Sequence, residues 1–285
     1  MAKNVLVLNH FAVPPGQAGG TRHVELFDQL PDGWRYTLVG ADRNLLTGDR
    51  THHTSGTYRA VRTTPYRGNG VSRIVNWLSY GVGAFFLGIR QRRVDVVYAS
   101  SPHLLTGLAG YFIARVRRAA FILEIRDLWP RILVDMGRMR PGSVVYRILR
   151  RLELFLYCHA DEIVVLAEGS IEAIQADCPS AASISYIPNG SDPSMFAVDG
   201  DRNAIRERFG MTGLVFVYAG AHGPANGLDL VLDAAEKVQA DLPDVSFVLV
   251  GDGVEKDQLV AQAGKRGLRN LQFQDPIPKT DMPQL

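Results

Sequence analysis

Apolar runs alternate along this chain with stretches whose apolar positions recur every third or fourth residue. Val5–Leu8, Tyr36–Gly40, Val94–Ala99, Ala120–Ile125 and Glu162–Leu166 have the length and content of strands covered on both faces. Between them, Thr21–Leu30, Leu104–Arg115, Ser143–Cys158 and Gly169–Asp177 carry helical spacing. Residues 42–70 are polar, with glycines and threonines, and read as a long surface excursion. Pro, Gly, Asp and Ser accumulate over Pro188–Gly213, which predicts a linker. The alternation then resumes with a strand at Leu214–Ala219 and a helix through Leu228, Val231, Leu232, Ala235 and Val238. A strand at Val245–Val250, a second helix and a short strand near Leu271–Phe273 follow. Strand and helix in strict turn predict a parallel, doubly wound α/β fold.

One helical segment breaks the rule of polar outside and apolar inside. Ile74–Ile89 holds no charge and is flanked by Arg73, Arg90, Arg92 and Arg93. Val71, Ile74, Val75, Leu78, Val82, Phe85, Phe86 and Ile89 line one helical face, with Trp77, Tyr80 and Leu87 on a second stripe. The stretch is short of the roughly 20 residues that span a bilayer. Three readings stay open: a helix buried in its own domain, one lying at or partly inserted in a membrane interface, or a true transmembrane span.

The charge is unevenly placed. Residues 1–160 hold 22 Lys+Arg against 10 Asp+Glu, and residues 161–285 hold 9 against 19. One half therefore faces an anionic surface or ligand. No helix-turn-helix, zinc or RNP pattern accompanies the basic residues, which disfavours nucleic acid. Cys158 and Cys178 alone give neither a disulfide framework nor a metal spacing, so a reducing cytosol is expected. No secretory segment precedes Val5.

Candidate chemistry collects where strands end, as ligand sites do in such sheets. Asn9–Gly20 joins the first strand to the first helix, and Gly19 and Gly20 allow close backbone approach to a phosphate. Arg126 and Asp127 follow Ala120–Ile125; Asp127 is either a site carboxylate or a cap on the next helical turn. His103 follows Ser100-Ser-Pro and either meets a sugar hydroxyl or is a solvated loop histidine. His52 and His53 lack partners at metal spacing. Gly220, His222, Asn226 and Gly227 lie in a glycine-rich loop after the sixth strand run. Gly251 and Gly253 form a second such turn. No G-x-G-x-x-G follows the first strand of either half, which disfavours a dehydrogenase.

Ile187-Pro-Asn-Gly-Ser-Asp192, the Gly220–Gly227 loop, Gly251-Asp-Gly253 and Glu124-Ile-Arg-Asp-Leu-Trp-Pro130 occur in an order that resembles retaining glycosyltransferases. The likeness is to the two-domain GT-B type, family 4, of bacterial surface-polysaccharide assembly. It implies two Rossmann-like domains, an acceptor domain over 1–188 and a nucleotide-sugar donor domain over 189–285. It implies transfer from a nucleotide-diphosphate sugar to a polyprenyl-diphosphate-linked saccharide. The basic first half and the apolar Ile74–Ile89 segment place that work at the inner face of the plasma membrane, and without an Asp-x-Asp element after a strand no metal or cofactor is expected. Asp127, Arg126 and His103 then stand on the catalytic side. Gly19, Gly20, Gly220, His222, Asn226, Gly227, Gly251 and Gly253 stand on the donor side. Three departures go with the likeness. Many relatives carry His where Arg126 stands. They carry Arg and Lys, which clamp the donor diphosphate, where Ala221 and Asn226 stand; His222 or an arginine of the first half is the expected substitute cation. No Glu-x7-Glu motif follows before Leu285, so the second domain is expected to be incomplete and the chain inactive alone. The alternatives are a nucleotide-sugar epimerase or hydrolase on the same fold, and a non-catalytic fragment.

Overall fold

The computed structural model describes residues 2–14, 20–44, 50, 56–66, 70–101, 103–190, 193–196, 201–208 and 210–285. Gly19, His52 and His53 lie outside them. The chain divides after Gly190 into two compact units.

The first unit runs β1 (Lys3–Leu8), α1 (Arg22–Phe27), β2 (Trp34–Ala41), β3 (Tyr58–Val61), α2 (Val71–Arg90), β4 (Val96–Ser101), α3 (Leu104–Arg117) and β5 (Ala120–Ile125). It continues with α4 (Arg131–Asp135), α5 (Val144–His159), β6 (Glu162–Val165), α6 (Gly169–Asp177) and β7 (Ile184–Tyr186). All seven strands are parallel, in the order β3-β2-β1-β4-β5-β6-β7. Val5 is paired with Tyr36 on one side and Val96 on the other, so the winding reverses between β1 and β4. The central strands read as continuous apolar runs because both faces are covered: Val7, Leu8, Val97, Ala99 and Leu123 are wholly buried.

Two strands went unread. β3 lies inside the stretch expected to be a surface excursion, and its Tyr58 hydroxyl donates to the carbonyls of Ala12 and Ala41, each at 3.1 Å. β7 has only three residues, too few to show a period.

Helix α2 is buried along one side and exposed along the other. Its protein-facing side is small: Asn76, Gly81, Ala84 and Gly88 are buried beside Tyr80. A methyl at Gly83 would run into Val61, and one at Gly88 into Ile113, so these glycines let the helix lie close on β3 and α3. One row of bulky residues points away from the unit. Val71, Ile74, Val75, Leu78, Val82 and Phe86 are exposed, from 44% for Val75 to 75% for Val71. Phe85, Leu87 and Ile89, read as apolar surface of the same helix, pack on the core instead. Among the described residues no helix is long and apolar enough to cross a membrane.

Cys158 of α5 and Cys178, just past α6, are joined in a disulfide, with Cα atoms 6.7 Å apart. This corrects the expectation of two unrelated thiols: α5 and α6 run back over neighbouring strands and bring their carboxyl ends together.

The second unit runs α7 (Arg202–Arg208), β8 (Leu214–Ala219), α8 (Asp229–Val238), β9 (Val245–Val250), α9 (Lys256–Arg266) and β10 (Leu271–Gln274). Helix α7 falls inside the expected linker. The three strands are parallel in the order β10-β9-β8. Leu228, Leu232, Ala235, Leu249, Leu259, Ala263 and Leu271 form the core.

Candidate functional site

In the first unit the chemistry gathers at the carboxyl ends of β1, β4 and β5, where the winding reverses and ligand crevices form. His10 leaves β1 and His103 leaves β4, and His10 Nδ1 lies 2.7 Å from His103 Nε2. Both rings are buried. His10 stacks between Tyr80 at 4.3 Å and Phe11 at 4.5 Å, and His103 stacks on Trp77 at 4.8 Å. Burial, then the charge of Arg73, brings His10 down to about 3. Burial first, then His10 and Arg73, holds His103 well below the usual range. The pair is therefore neutral at pH 7, one ring donating to the other. His103 Nδ1 is buried and has no hydrogen-bond partner among the described residues. His103 is thus not a solvated loop histidine.

Beside this pair lies a buried carboxylate. Glu124 accepts from Tyr98 and Ser100 hydroxyls at 2.7 Å each, from His23 Nε2 at 2.9 Å and from Arg22 Nε at 3.1 Å. The tautomer follows from Asn9. Its Oδ1 accepts from the Phe11 N–H, which turns its amide nitrogen to His23 Nδ1 at 2.9 Å, so His23 accepts there and donates from Nε2. Burial pushes the Glu124 carboxyl up, but the bonds from His23, Tyr98 and Ser100 outweigh it and hold it below the usual carboxylate range. Arg22 also donates to the carbonyls of Ile187 at 2.8 Å and Pro188 at 2.7 Å, fixing the last residues of the unit to its centre. His10, Arg22, His23 and Tyr98 were not singled out from sequence. The one signal was Glu124 itself, a charge inside the apolar run AFILEI, which demands a buried partner.

Asp127 stands exposed just past β5. Its backbone carbonyl accepts from Trp129, but α4 begins at Arg131 with Pro130 at the cap position and no side-chain cap, so the carboxylate does not cap that helix. Arg126 is half-buried. Trp129 meets Trp77 edge-on at 5.5 Å, which links this corner to the histidine pair. Gly20 bridges to Ala12 ahead of α1, and α1 is only six residues long, shorter than expected.

In the second unit the two glycine-rich loops are packed on each other. The His222 N–H donates to Asp252 and the Glu255 N–H to His222, at 2.8 and 3.0 Å. A methyl at Gly251 would run into the Gly220 carbonyl, and one at Gly253 into the His222 backbone. These glycines exist for loop-to-loop contact. Gly227 takes a left-handed conformation, φ 57°, before α8. Asn226 donates from its amide to the Ala221 carbonyl at 2.7 Å, so the two positions at which the family resemblance implies charge are here bonded to one another. His222 is fully buried, and burial, then the charge of Lys256, lowers its pKa. Both effects favour the neutral ring, which weighs against His222 as the substitute cation. Lys256 closes this corner, its Nζ 3.0 Å from the Gly251 carbonyl and 2.8 Å from Asp275. No group of three His, Cys, Asp or Glu that could hold a metal occurs among the described residues.

Two parallel α/β units in series, each with its polar loops at the strand carboxyl ends, define the GT-B class of glycosyltransferase folds. Residues 19–190 match the glycosyl transferase 4-like domain and residues 201–285 match glycosyl transferases group 1. The chain belongs to the glycosyl transferase 4-like family. It is similar to an Escherichia coli (strain K12) protein named as a colanic acid biosynthesis glycosyl transferase, WcaI, at 24% identity over 82% of this chain and 59% of the relative. The crystal structure of Anabaena HepE with UDP-glucose aligns at TM-score 0.66 and 16% identity, over 99% of this chain and 70% of that one. Sucrose-phosphate synthase from Thermosynechococcus elongatus aligns at TM-score 0.73 and 14% identity, over 99% and 72%. The chain spans about three fifths of the length of WcaI.

Proposed function

We propose that this protein takes part in moving a sugar from a nucleotide-diphosphate donor to an acceptor hydroxyl with retention. In that reaction the bond from the sugar to the diphosphate breaks, the bond to the acceptor oxygen forms, and the acceptor proton passes to the departing diphosphate. The second unit is the donor side. Its Gly220–Gly227 loop would meet the diphosphate with backbone N–H groups, an electrostatic role. Charge-assisted bonds are about twice as strong as neutral ones, so a loop without Lys or Arg is a weaker clamp than its charged counterparts. The first unit is the acceptor side, with Asp127, Arg126 and the His10–His103 pair at the crevice.

The observation that carries the reading is the order of the two family matches on two parallel α/β units. The UDP-glucose bound to HepE and the polysaccharide named for WcaI support a nucleotide-sugar donor and a surface-polysaccharide pathway. We propose further that the acceptor is polyprenyl-diphosphate-linked and that the protein works peripherally at the inner membrane face. Calorimetric titration with a panel of UDP- and GDP-sugars tests the donor side. Saturable binding is expected, competed by the free nucleoside diphosphate and weakened by Asn226→Asp, which adds a negative charge to the loop. Binding of none of the panel would end the donor assignment.

A further inference from the structure

Helix α2 carries apolar residues on both its buried and its exposed side. Its glycines and alanine face the protein, while Val71, Ile74, Val75, Leu78, Val82 and Phe86 face away. Singly exposed apolar side chains are ordinary, but a contiguous stripe along a 20-residue helix marks a surface that meets another apolar phase. The neighbouring helices expose apolar residues too. α3 packs between α2 and α5, and it exposes Phe112 and Val116, while α5 exposes Val144, Val145 and Ile148.

The edge of this surface is cationic. Between β3, the last strand of the sheet, and the carboxyl half of α2 runs a groove of about 550 Å³. Val61, Gly83, Phe86 and Leu87 line it, and Arg59, Arg62 and Arg90 stand around it. The Arg90 guanidinium lies over the Phe86 ring at 5.6 Å. Residues 50–94 contain eight arginines and no Asp or Glu. Arginines beside an apolar helix face match a bilayer leaflet in order: acyl chains against the stripe, headgroup phosphates against the guanidinium groups. A second protein would need an acidic rim beside an apolar centre to match as well.

We propose that the outer face of α2 docks on an anionic lipid bilayer, and that Arg59, Arg62 and Arg90 hold a lipid phosphate in the groove beside it. This gives a place to the membrane contact of the proposed function and rests on that reading.

Flotation with vesicles of phosphatidylglycerol and phosphatidylcholine, against phosphatidylcholine alone, is the test. Binding is expected only to the anionic vesicles, falling as salt shortens the screening length to roughly 8 Å at 0.15 M. Removing one arginine should weaken it about fivefold, and the triple Arg59→Gln/Arg62→Gln/Arg90→Gln more than tenfold. The exposed pair Leu78→Gln/Val82→Gln should reduce binding with no change in melting temperature. A charge-matched triple in the second unit, Lys237→Gln/Lys265→Gln/Arg269→Gln, should bind as the parent does.

Equal loss from that second triple would overturn the groove. A dimer in solution that dissociates with Leu78→Gln/Val82→Gln would hand the surface to a second copy. Donor titration on the same variants separates the two claims. Vesicle binding without donor binding sinks the transferase reading, and donor binding without vesicle binding sinks this one.

Discussion

His10 and His103 share one hydrogen bond inside a wall of Phe11, Trp77 and Tyr80, and neither ring can take a proton without charging the core. In the unfolded chain each histidine titrates near 6.5, whereas in the folded chain His10 titrates at about 3 and His103 well below the usual range. Between those limits the unfolded state binds more protons, so stability is full above neutrality and is lost as pH falls through that window. Each histidine contributes a slope of about 1.4 kcal/mol per pH unit there. Glu124, held below the usual range, acts in the same direction but only below about 4.5. The melting temperature is expected to drop from pH 7 to pH 5, and His10→Gln should remove a good part of that slope. A flat profile in the parent protein would refute the buried neutral pair. His103 was visible in the sequence because it follows a strand run. Its partner was not, since His10 is 93 residues away and only the strand order brings β1 beside β4.

At the scale of elements, periodicity located β8 and β9 and the α6 helix at their observed bounds because each has a single apolar face or run. It failed where length or partner mattered more than pattern, at β3, β7 and α4. It failed differently at α2: the spacing gave a helix, but spacing cannot say which face is turned inward. There the decision lay with the small residues, since only Gly83 and Gly88 let the backbone approach Val61 and Ile113. The same limit hid the Cys158–Cys178 bridge between the ends of α5 and α6. Closing a 20-residue loop restricts the unfolded chain and stabilises the fold by about 3 kcal/mol on the chain-entropy account. Cys158→Ser should therefore lower the stability of air-oxidised protein by about that much, and should cost little when both proteins are measured in reductant. Equal stabilities under oxidising conditions would show that the bridge does not form in solution.

Over the whole molecule the formal charge is only +2, yet the first 160 residues carry an excess of basic groups and the remainder an excess of acidic ones. Screening acts over roughly 10 Å at 0.1 M salt, so a resin meets patches and not the sum. The protein is expected to bind a sulfonate exchanger at pH 7.5 and to leave it only at raised salt. Passage in the void volume would show that the basic half is masked. The fold class was open to reading because strand and helix alternate throughout, and the candidate loops because they follow strand ends. What the loops hold was not, since Asn226 turning to Ala221 and Gly251 pressing on Gly220 depend on how two distant turns meet. Helix α2 also bears on how the protein is made. Synthesis proceeds from the amino end, so α2 is complete before α3, the element that its small side packs against, has left the ribosome. At 5–20 residues per second the chain from Arg90 to Arg117 takes about 1–5 s. For that interval the bulky stripe is the strongest apolar surface the nascent helix can offer, and whatever apolar phase lies nearest the exit site meets it before the domain is closed.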